Sequence, residues 1–413
     1  MSAATDSLGA AVRMLRTAAG LSTRDLARRA HISPAYIGFI EHDTNAPSDR
    51  IAAALDTALG AGGLLRAAAR EDDIVKRRTL FAALAAVAAG AGEYARLVDG
   101  VTRAPVARAG QTEVDAVAAA AQFATDLDLR CGGGAAAGPG RAVLGWAVGL
   151  LDAEMTDRVR VDLSGAVAAL ADRVAWSHYD AGQDTGAQRL YGIALKISQA
   201  GADPNLRAHI LLDESTRAAH RREYDRAATL LRGVVDAPGL LPAVRSNVAL
   251  TYARHVACMG ERREALEVTA RAVDVIGEVD QGAEVPSWSR RFLSSPAHLR
   301  SVAARPLLFA GDYEAAVGGF TAALADLGPD RGRGRAYALA LLGLAYLRAG
   351  YADRAEDTTL TLVGAAAGLQ SARVAGHMHS LAAELRAAGR RDLGRELAQA
   401  AANVDPAQGL DSR

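Results

Sequence analysis

The sequence predicts an all-α protein, and three observations support this prediction. Alanine, which has the highest helix propensity, dominates a composition in which aromatic residues make up only 5%. From Leu8 to Gly60, apolar residues recur at helical spacing in short segments, each with its own start and stop signals. Beyond Val143, a short motif returns at nearly regular intervals, which is typical of stacked helical repeats. We therefore expect a small helical N-terminal domain followed by a larger repeat region.

Composition and charge limit the classes of function. Hydrophobic residues make up 50% of the chain and charged residues 23%, which is typical of globular proteins. The 47 basic residues balance the 47 acidic ones, so any affinity for DNA must be local. Cys131 and Cys258 belong to no CxxC or CxxH pair, so neither a zinc site nor a disulfide framework is indicated. We expect no cofactor and a reducing, cytoplasmic location.

Four short amphipathic segments follow one another near the N-terminus. Ser22 and Asp25 have the spacing of a capping box, and Ser33-Pro34 is a cap followed by proline at the first helical position. The predicted helices run from Leu8 to Ala19, from Ser22 to Ala30, from Ser33 to near His42, and onward from Pro47-Ser48. The expected core between the second and third helices consists of Leu26, Ala30, Ile32, Ile37 and Ile40.

Two short helices joined by a three-residue turn form a helix-turn-helix, whose second helix enters the major groove of DNA. A specific set of residues fits this arrangement: Leu15-Arg16, Gly20-Leu21-Ser22, Leu26-Ala27, Ala30, Ile32-Ser33, Ile37, Ile40-Glu41, Pro47-Ser48, Leu55 and Leu59-Gly60. The set resembles the lambda-repressor-like (XRE) family over almost the whole domain. This resemblance implies a five-helix DNA-binding domain within residues 1–70.

The resemblance also implies where DNA is contacted. The phosphate-contacting position at the start of the second helix falls on Thr23. The groove-facing positions fall on Ser33, Pro34, Ala35, Tyr36 and Phe39, a set with few hydrogen-bond donors, so thymine methyl contacts and DNA shape would carry more of the specificity. Flanking side chains that suit phosphate contacts, or else are solvated surface charges, are Arg24, Arg28, Arg29 and His42.

The charge of this domain suggests how it would reach useful affinity. Residues 1–70 hold eight arginines against six acidic residues, so their attraction to DNA is modest. We therefore expect a homodimer that binds a palindromic operator.

Residues 71–142 are predicted to be a helical linker. Glu71 to Arg78 form a charged break, and a glycine-rich run extends from Gly132 to Gly140. This run lacks the GK[ST] ending of a phosphate-binding loop, so we expect a flexible loop. Arg77-Arg78 and the alanine-rich run to Ala91 look like an export signal, but they lie far from the N-terminus and the run is too short to span a bilayer. An ordinary helix is therefore expected, with no membrane partner.

The repeated motif defines the region from 143 to 405, followed by a tail at 406–413. Its copies begin at Arg222, Gly260, Gly311, Gly350 and Gly389, and each has alanine five places later except the last, which has Gly394. The copies resemble tetratricopeptide repeats over roughly Arg173 to Val404. An insertion around Pro286-Ser287-Trp288 is either a ligand-contacting loop or a longer connection.

The tetratricopeptide register implies a candidate ligand-binding face. Asparagine there can hold the backbone of an extended peptide, and arginine can bind a carboxylate bidentately. A short peptide is therefore one candidate ligand, and a small apolar metabolite near Trp288, Tyr337 and Tyr346 is the other. Each polar residue could equally be satisfied internally. Together with Trp288, the candidates are His209, Asn247, Arg254, His298, Arg305, Tyr337 and His379.

The two parts together resemble peptide-pheromone-sensing regulators of Gram-positive bacteria and large helix-turn-helix regulators of actinomycetes. The resemblance implies a transcription regulator, dimeric through its repeats, whose DNA binding responds to a ligand. The alternative is a protein-interaction scaffold with a degenerate DNA-binding head. An enzyme is disfavoured, because the sequence contains no metal-ligand cluster, nucleophile elbow or phosphate loop.

Overall fold

The computed structural model describes residues 7–18, 21–59, 65, 69, 107–280, 284–328 and 331–406. Within these residues there is no β-strand, only an isolated bridge between Arg108 and Glu154, so the all-α prediction is confirmed. The helices are α1 Leu8–Ala18, α2 Thr23–Ala30, α3 Pro34–Glu41, α4 Asp49–Leu59, α5 Gln111–Cys131, α6 Gly133–Gly149, α7 Asp157–Asp180, α8 Asp184–Gly201, α9 Pro204–His220, α10 Tyr224–Arg232, α11 Pro242–Cys258, α12 Arg262–Asp280, α13 Arg290–Leu293, α14 Pro296–Ala310, α15 Tyr313–Asp326, α16 Gly332–Arg348, α17 Ala352–Ala366, α18 Ala372–Ala387 and α19 Arg391–Val404.

The N-terminal helices begin where their capping residues predict. The Ser22 hydroxyl accepts a hydrogen bond from the Asp25 backbone N–H at 3.1 Å, and an Asp25 carboxylate oxygen accepts one from the Ser22 backbone N–H at 3.1 Å. At α3 the Ser33 hydroxyl accepts a hydrogen bond from the Tyr36 backbone N–H at 3.2 Å, and Pro34 occupies the first helical position. His31 ends α2 in the left-handed conformation, which allows the tight turn into α3.

The core of this domain follows the predicted helical spacing. Leu26, Ala30, Ile37 and Ile40 are buried as predicted. Ile32 is only half-buried, because it lies in the turn between α2 and α3 rather than on a helix face. Several sequence predictions lie outside the described residues: most of the expected fifth helix, the charged break at 71–78, the alanine-rich run to Ala91, and the tail beyond Pro406.

The prediction of a flexible loop from Gly132 to Gly140 is wrong. Only Gly132, with φ of +90°, interrupts the helices, and α6 begins directly after it. The glycines permit close backbone packing: a Cβ at Gly132 would lie 2.4 Å from the Gln370 carbonyl oxygen, and one at Gly133 would lie 2.4 Å from the Ser177 carbonyl oxygen. The glycines at the start of this run therefore allow neighbouring backbone segments to pack closely.

The chain folds into two compact units. One comprises residues 1–124 and 135–170, and the other, the C-terminal unit, comprises 125–134 and 171–413. Within the C-terminal unit, consecutive helices form antiparallel pairs, and the first helix of each pair from α9 onward packs on the first helix of the next. The second part of the chain is thus a helical, repeat-like region.

Every predicted motif lies at the turn inside a helix pair. Its first residue has a positive φ: 62° at Arg222, 93° at Gly260, 82° at Gly311, 88° at Gly350 and 85° at Gly389. The alanine five places later is fully buried at each of the four copies that have one, because it faces the first helix of its pair: Ala227, Ala265, Ala316 and Ala355.

The structure adds an earlier pair that the sequence comparison missed. Gly182, with φ of +78°, separates α7 from α8, and Ala187 lies buried five residues later. The structure also explains the departure at Gly394, because a Cβ there would lie 2.8 Å from the Ala382 carbonyl oxygen. Among the described helices, none is long and apolar enough to cross a membrane.

Candidate DNA-binding surface and buried cationic cavity

The outer face of α3 is the candidate DNA-reading surface. Ile37 and Ile40 point into the core, so the residues between them on the helix point outward. Ser33, Pro34 and Ala35 are exposed, Tyr36 is half-buried, and Phe39 is 52% exposed. A large aromatic side chain that is half exposed on a short helix is available to contact a partner.

Cationic side chains flank this face on α2. Thr23 is half-buried at the first position of α2, followed by the exposed Arg24, Arg28 and Arg29. Arg28 forms an ion pair with Asp25. No ion pair engages Arg24 or Arg29 within the part of the chain that the structure describes. The exposed His42 ends α3, and its Nδ1 lies 2.7 Å from the Gly38 carbonyl oxygen.

The comparison with protein families agrees with this geometry. Residues 7–69 match the model of a helix-turn-helix domain family. The N-terminal segment is a helix-turn-helix domain. Its XRE-like pattern and the helical remainder of the chain indicate a DNA-binding regulator. A search of curated proteins found no match to the chain.

The C-terminal unit contains a cavity of about 100 Å³. It lies between the first helices of successive pairs, and the end of α5 contributes to its wall. The lining residues are Thr125, Asp128, Leu129, Arg173, Trp176, His209, Leu212, Asp213, Thr216, Asn247, Thr251, Phe292, His298, Ser301, Val302, Arg305, Leu327, Arg331, Arg333, Gly334, Tyr337 and Arg373.

The lining residues occupy one face of each first helix. On α9 they include His209, Asp213 and Thr216, and on α14 the same spacing of four and then three residues gives His298, Val302 and Arg305. Residues at this spacing lie on one side of a helix. The cavity is therefore built by the repetition itself.

Some predicted ligand residues meet at this cavity and others do not. His209, Asn247, His298, Arg305 and Tyr337 line it. Arg254 and Trp288 are half-buried outside the lining, and His379 is exposed on α18. Sequence reasoning missed two of the lining residues that it could have found, because Arg173 and Trp176 precede Gly182 by the same spacing as Asp213 and Thr216 precede Arg222. The charged or aromatic lining residues that it missed are Asp128, Arg173, Trp176, Asp213, Phe292, Arg331, Arg333 and Arg373.

The insertion supplies part of the wall. Phe292 lines the cavity and stacks on His209, with 5.0 Å between ring centroids. Trp288 packs against His209 at 4.9 Å and donates a hydrogen bond from Nε1 to Asp203 at 3.0 Å. Of the two interpretations left open by the sequence, these contacts favour a segment that shapes a site.

Three buried side chains have the donor atoms of a metal site, but they already surround the guanidinium of Arg173. Donor atoms of Asp172, His209 and Asp213 lie within 4.8 Å of one another. The guanidinium of Arg173 bonds to both carboxylates and lies 2.9 Å from His209 Nε2. Burial and Arg173 lower the pKa of His209 to about 3, so this imidazole is neutral. The Arg173 guanidinium fills the position that an ion would need.

A second ion pair crosses the wall of the cavity. Arg333 Nη2 donates to Asp128 Oδ2 at 2.7 Å, which joins α16 to the end of α5. Burial raises the pKa of Asp128 to about 6, although Arg333 opposes this shift. Asp128 Oδ1 accepts no hydrogen bond among the described residues.

Two further arginines converge on one phenol. The guanidinium carbons of Arg305 and Arg373 lie 4.7 Å and 4.8 Å from the centroid of the Tyr337 ring. Burial lowers the pKa of Arg305 to about 10. Burial alone would raise the pKa of Tyr337, but Arg305, Arg373 and Arg254 together lower it to about 8. This side of the cavity is therefore strongly positive.

Proposed function

We propose that the protein is a sequence-specific transcription regulator whose binding to an operator is modulated by a signal held in the repeat region. The observation that carries the proposal is the exposed face of α3, where Tyr36 and Phe39 project from a closed helix-turn-helix core. In this arrangement α3 enters the major groove, and α2 lays Arg24 and Arg29 along the phosphates.

The donor-poor face of α3 suggests how the operator is read. Phe39 and Ala35 can contact thymine methyl groups, and Tyr36 can donate or accept one hydrogen bond. Such contacts specify few base pairs, and the net charge of +2 over residues 1–70 supplies little nonspecific affinity. A homodimer on a palindrome doubles the contacts, so we expect a dimer held by the C-terminal unit.

The cavity supports the sensing half of the proposal. The stacked helix pairs align five of the predicted ligand residues around one cavity: His209, Asn247, His298, Arg305 and Tyr337. Its volume of about 100 Å³ is smaller than the ~300–1,000 Å³ of ordinary ligand pockets, and five arginines line it, which favours a small polar molecule over a peptide or an apolar metabolite. A ligand can shift DNA binding only through different affinities for two conformations of the protein.

Selection of bound sequences from a random duplex pool tests the DNA-binding proposal. The full-length protein should enrich one palindromic motif, and a Tyr36→Ala, Phe39→Ala double variant should enrich none while keeping its helical circular dichroism. A matched control is Tyr351→Ala with Leu360→Ala, since both of these apolar side chains are exposed on α17 or its cap. Full enrichment by the Tyr36, Phe39 variant would contradict α3 as the reading helix. Failure of the unaltered protein to enrich any motif would favour an interaction scaffold instead.

A further inference from the structure

The cationic cavity has more positive than negative side chains in its wall. Five arginines and two aspartates line it. Asp128 is engaged by Arg333, and Asp213 by Arg173. The histidines add no charge, because burial lowers the pKa of both His209 and His298. Arg173 also pairs with Asp172, whereas the charge of Arg305 is offset by no carboxylate among the described residues.

Arg305 and Arg373 each present a buried donor that no described residue satisfies. Arg373 is 4% exposed, and its nearest carboxylate oxygen, Oδ1 of Asp180, lies 3.8 Å from Nη1, beyond hydrogen-bonding distance. Arg305 has no carboxylate partner within the described residues. Arg305 Nε and Arg373 Nη1 are also buried without any hydrogen-bond acceptor among those residues. Buried donors are rarely left unpaired in folded proteins, and unsatisfied arginine donors in a cavity are typical of an anion site.

Aromatic rings hold the two guanidinium groups in place. Arg373 lies over Trp176 at 4.4 Å and over Tyr337 at 4.8 Å, and Arg305 lies over Tyr337 at 4.7 Å. Stacking fixes the plane of a guanidinium and leaves its edge free to donate. The site is thus organised before any anion arrives, which reduces the entropy lost on binding.

We infer that this cavity binds the carboxylate group of a small organic acid at Arg305 and Arg373. The planar carboxylate matches the donor edge of a guanidinium bidentately. The volume of about 100 Å³, below the ~300–1,000 Å³ of ordinary ligand pockets, favours a short acid over an extended peptide. In the same wall, the hydroxyls of Thr216 and Ser301 can exchange hydrogen bonds with the rest of the molecule, and that of Thr251, which donates to the Asn247 carbonyl oxygen, can accept one.

Calorimetric titration of the full-length protein with acetate and lactate tests this inference, with inorganic phosphate and chloride as comparison anions at equal ionic strength. We expect saturable binding of a carboxylate at one site per chain. Arg305→Gln should weaken it about tenfold or more, since it removes a charge-assisted hydrogen bond. Arg263→Gln is the matched control, because Arg263 is 92% exposed on α12 and away from the cavity. Equal binding by the Arg305→Gln and Arg263→Gln variants would overturn the inference.

A second readout needs no variant and so does not depend on the folding of an altered protein. A bound carboxylate offsets the positive charge around Tyr337, so saturating acetate should move the ionisation of this phenol to higher pH, whereas equal chloride should not. No saturable carboxylate binding, an equal effect of chloride, or Arg305-dependent binding of phosphate alone would each overturn the carboxylate assignment.

The role of the acid as the regulatory signal rests on the proposed function, whereas its binding does not. The two can fail separately because calorimetry is done without DNA. Operator binding that persists with no carboxylate binding contradicts this inference alone. Carboxylate binding by a protein that selects no DNA sequence contradicts the proposed function alone.

Discussion

Arg16 on α1 forms a bidentate ion pair with Glu41 at the end of α3, with Nε 2.6 Å from Oε1 and Nη2 2.9 Å from Oε2. The third nitrogen of the guanidinium, Nη1, donates a hydrogen bond to the Leu21 carbonyl oxygen at 2.9 Å. One guanidinium thus ties α1, the loop before α2, and α3 together. The position of the candidate reading helix depends on this contact.

Loss of this ion pair should loosen the helix-turn-helix domain. The Glu41 side chain is only 5% exposed, so Glu41→Gln leaves Arg16 with a weaker partner in a mostly buried place. We expect a loss of ~2 kcal/mol, typical of a buried hydrogen bond to a charged group. Hydrogen exchange of α1 and α3 amides in the full-length protein measures it.

The exposed pair on α2 provides the control for that experiment. The Arg28 side chain is 78% exposed, so Arg28→Gln should change the same opening free energy by no more than about 0.5 kcal/mol. Equal effects of the two substitutions would show that the Arg16–Glu41 contact has no special role.

Arg24 and Arg29 should act on DNA binding through phosphate charge alone. Replacing either with glutamine removes one cation from the flank of α3, so we expect weaker binding to every sequence and a log–log salt slope reduced by about 1. Arg28→Gln should have a smaller effect, because Asp25 already pairs with that guanidinium. Fluorescence anisotropy over a salt series measures the slopes. A change in base preference without a change in slope would contradict the phosphate role.

Gly394 should be intolerant of a side chain. A Cβ at this position would lie 2.8 Å from the Ala382 carbonyl oxygen and 2.7 Å from Arg386 Cγ, so Gly394→Ala should force α18 and α19 apart at a cost of ~1–3 kcal/mol. Gly318→Ala is the opposite case, since Gly318 lies in the exposed middle of α15 with nothing within 4 Å of its Cβ position.

The two glycine variants should therefore change the free energy of unfolding in opposite directions. Gly318→Ala should stabilise the protein by about 0.5–1 kcal/mol, because alanine has the higher helix propensity. Chemical denaturation of both full-length variants measures the difference. A stable Gly394→Ala protein would show that the α18–α19 interface is looser than described.

Tyr337 should lose its phenolic proton at a lower pH than an ordinary tyrosine does. Its pKa of about 8 lies below the usual 10, since Arg305, Arg373 and Arg254 favour the phenolate; the neighbouring His377, with its pKa lowered to about 3, adds no charge. Tyr179 is easily distinguished, because burial raises its pKa to about 12. Ultraviolet absorbance should show one tyrosinate near pH 8, and Tyr337→Phe should remove it.

The sign of the stability effect follows from proton counting. Between pH 8 and pH 10 the folded protein has lost the Tyr337 proton while the unfolded chain retains it, so this group stabilises the fold increasingly as pH rises through that window and the contribution is lost as pH falls through 8. Tyr337→Phe should flatten the rise. A tyrosinate signal that appears only near pH 10 in the folded protein would contradict the cationic environment.

Local chemistry let the sequence predict the helical class, the starts of the N-terminal helices and the turns at the repeated motif. Capping by Ser22 and Ser33, the proline at 34, and the positive φ of Gly260, Gly311 and Gly350 are properties of a few neighbouring residues, so they can be read without the fold. The same holds for the buried faces of α2 and α3, which follow from helical spacing.

The tertiary structure decided which distant side chains meet. Arg333 pairs with Asp128 across 205 residues, and Arg373 joins Trp176 and Tyr337 from three different helices. No local pattern encodes such pairings, because they depend on how successive helix pairs stack. For the same reason the sequence predicts a loop from Gly132 to Gly140 where the structure has a helix: Gly132 and Gly133 pack closely against Gln370 and Ser177, which lie far away in the sequence.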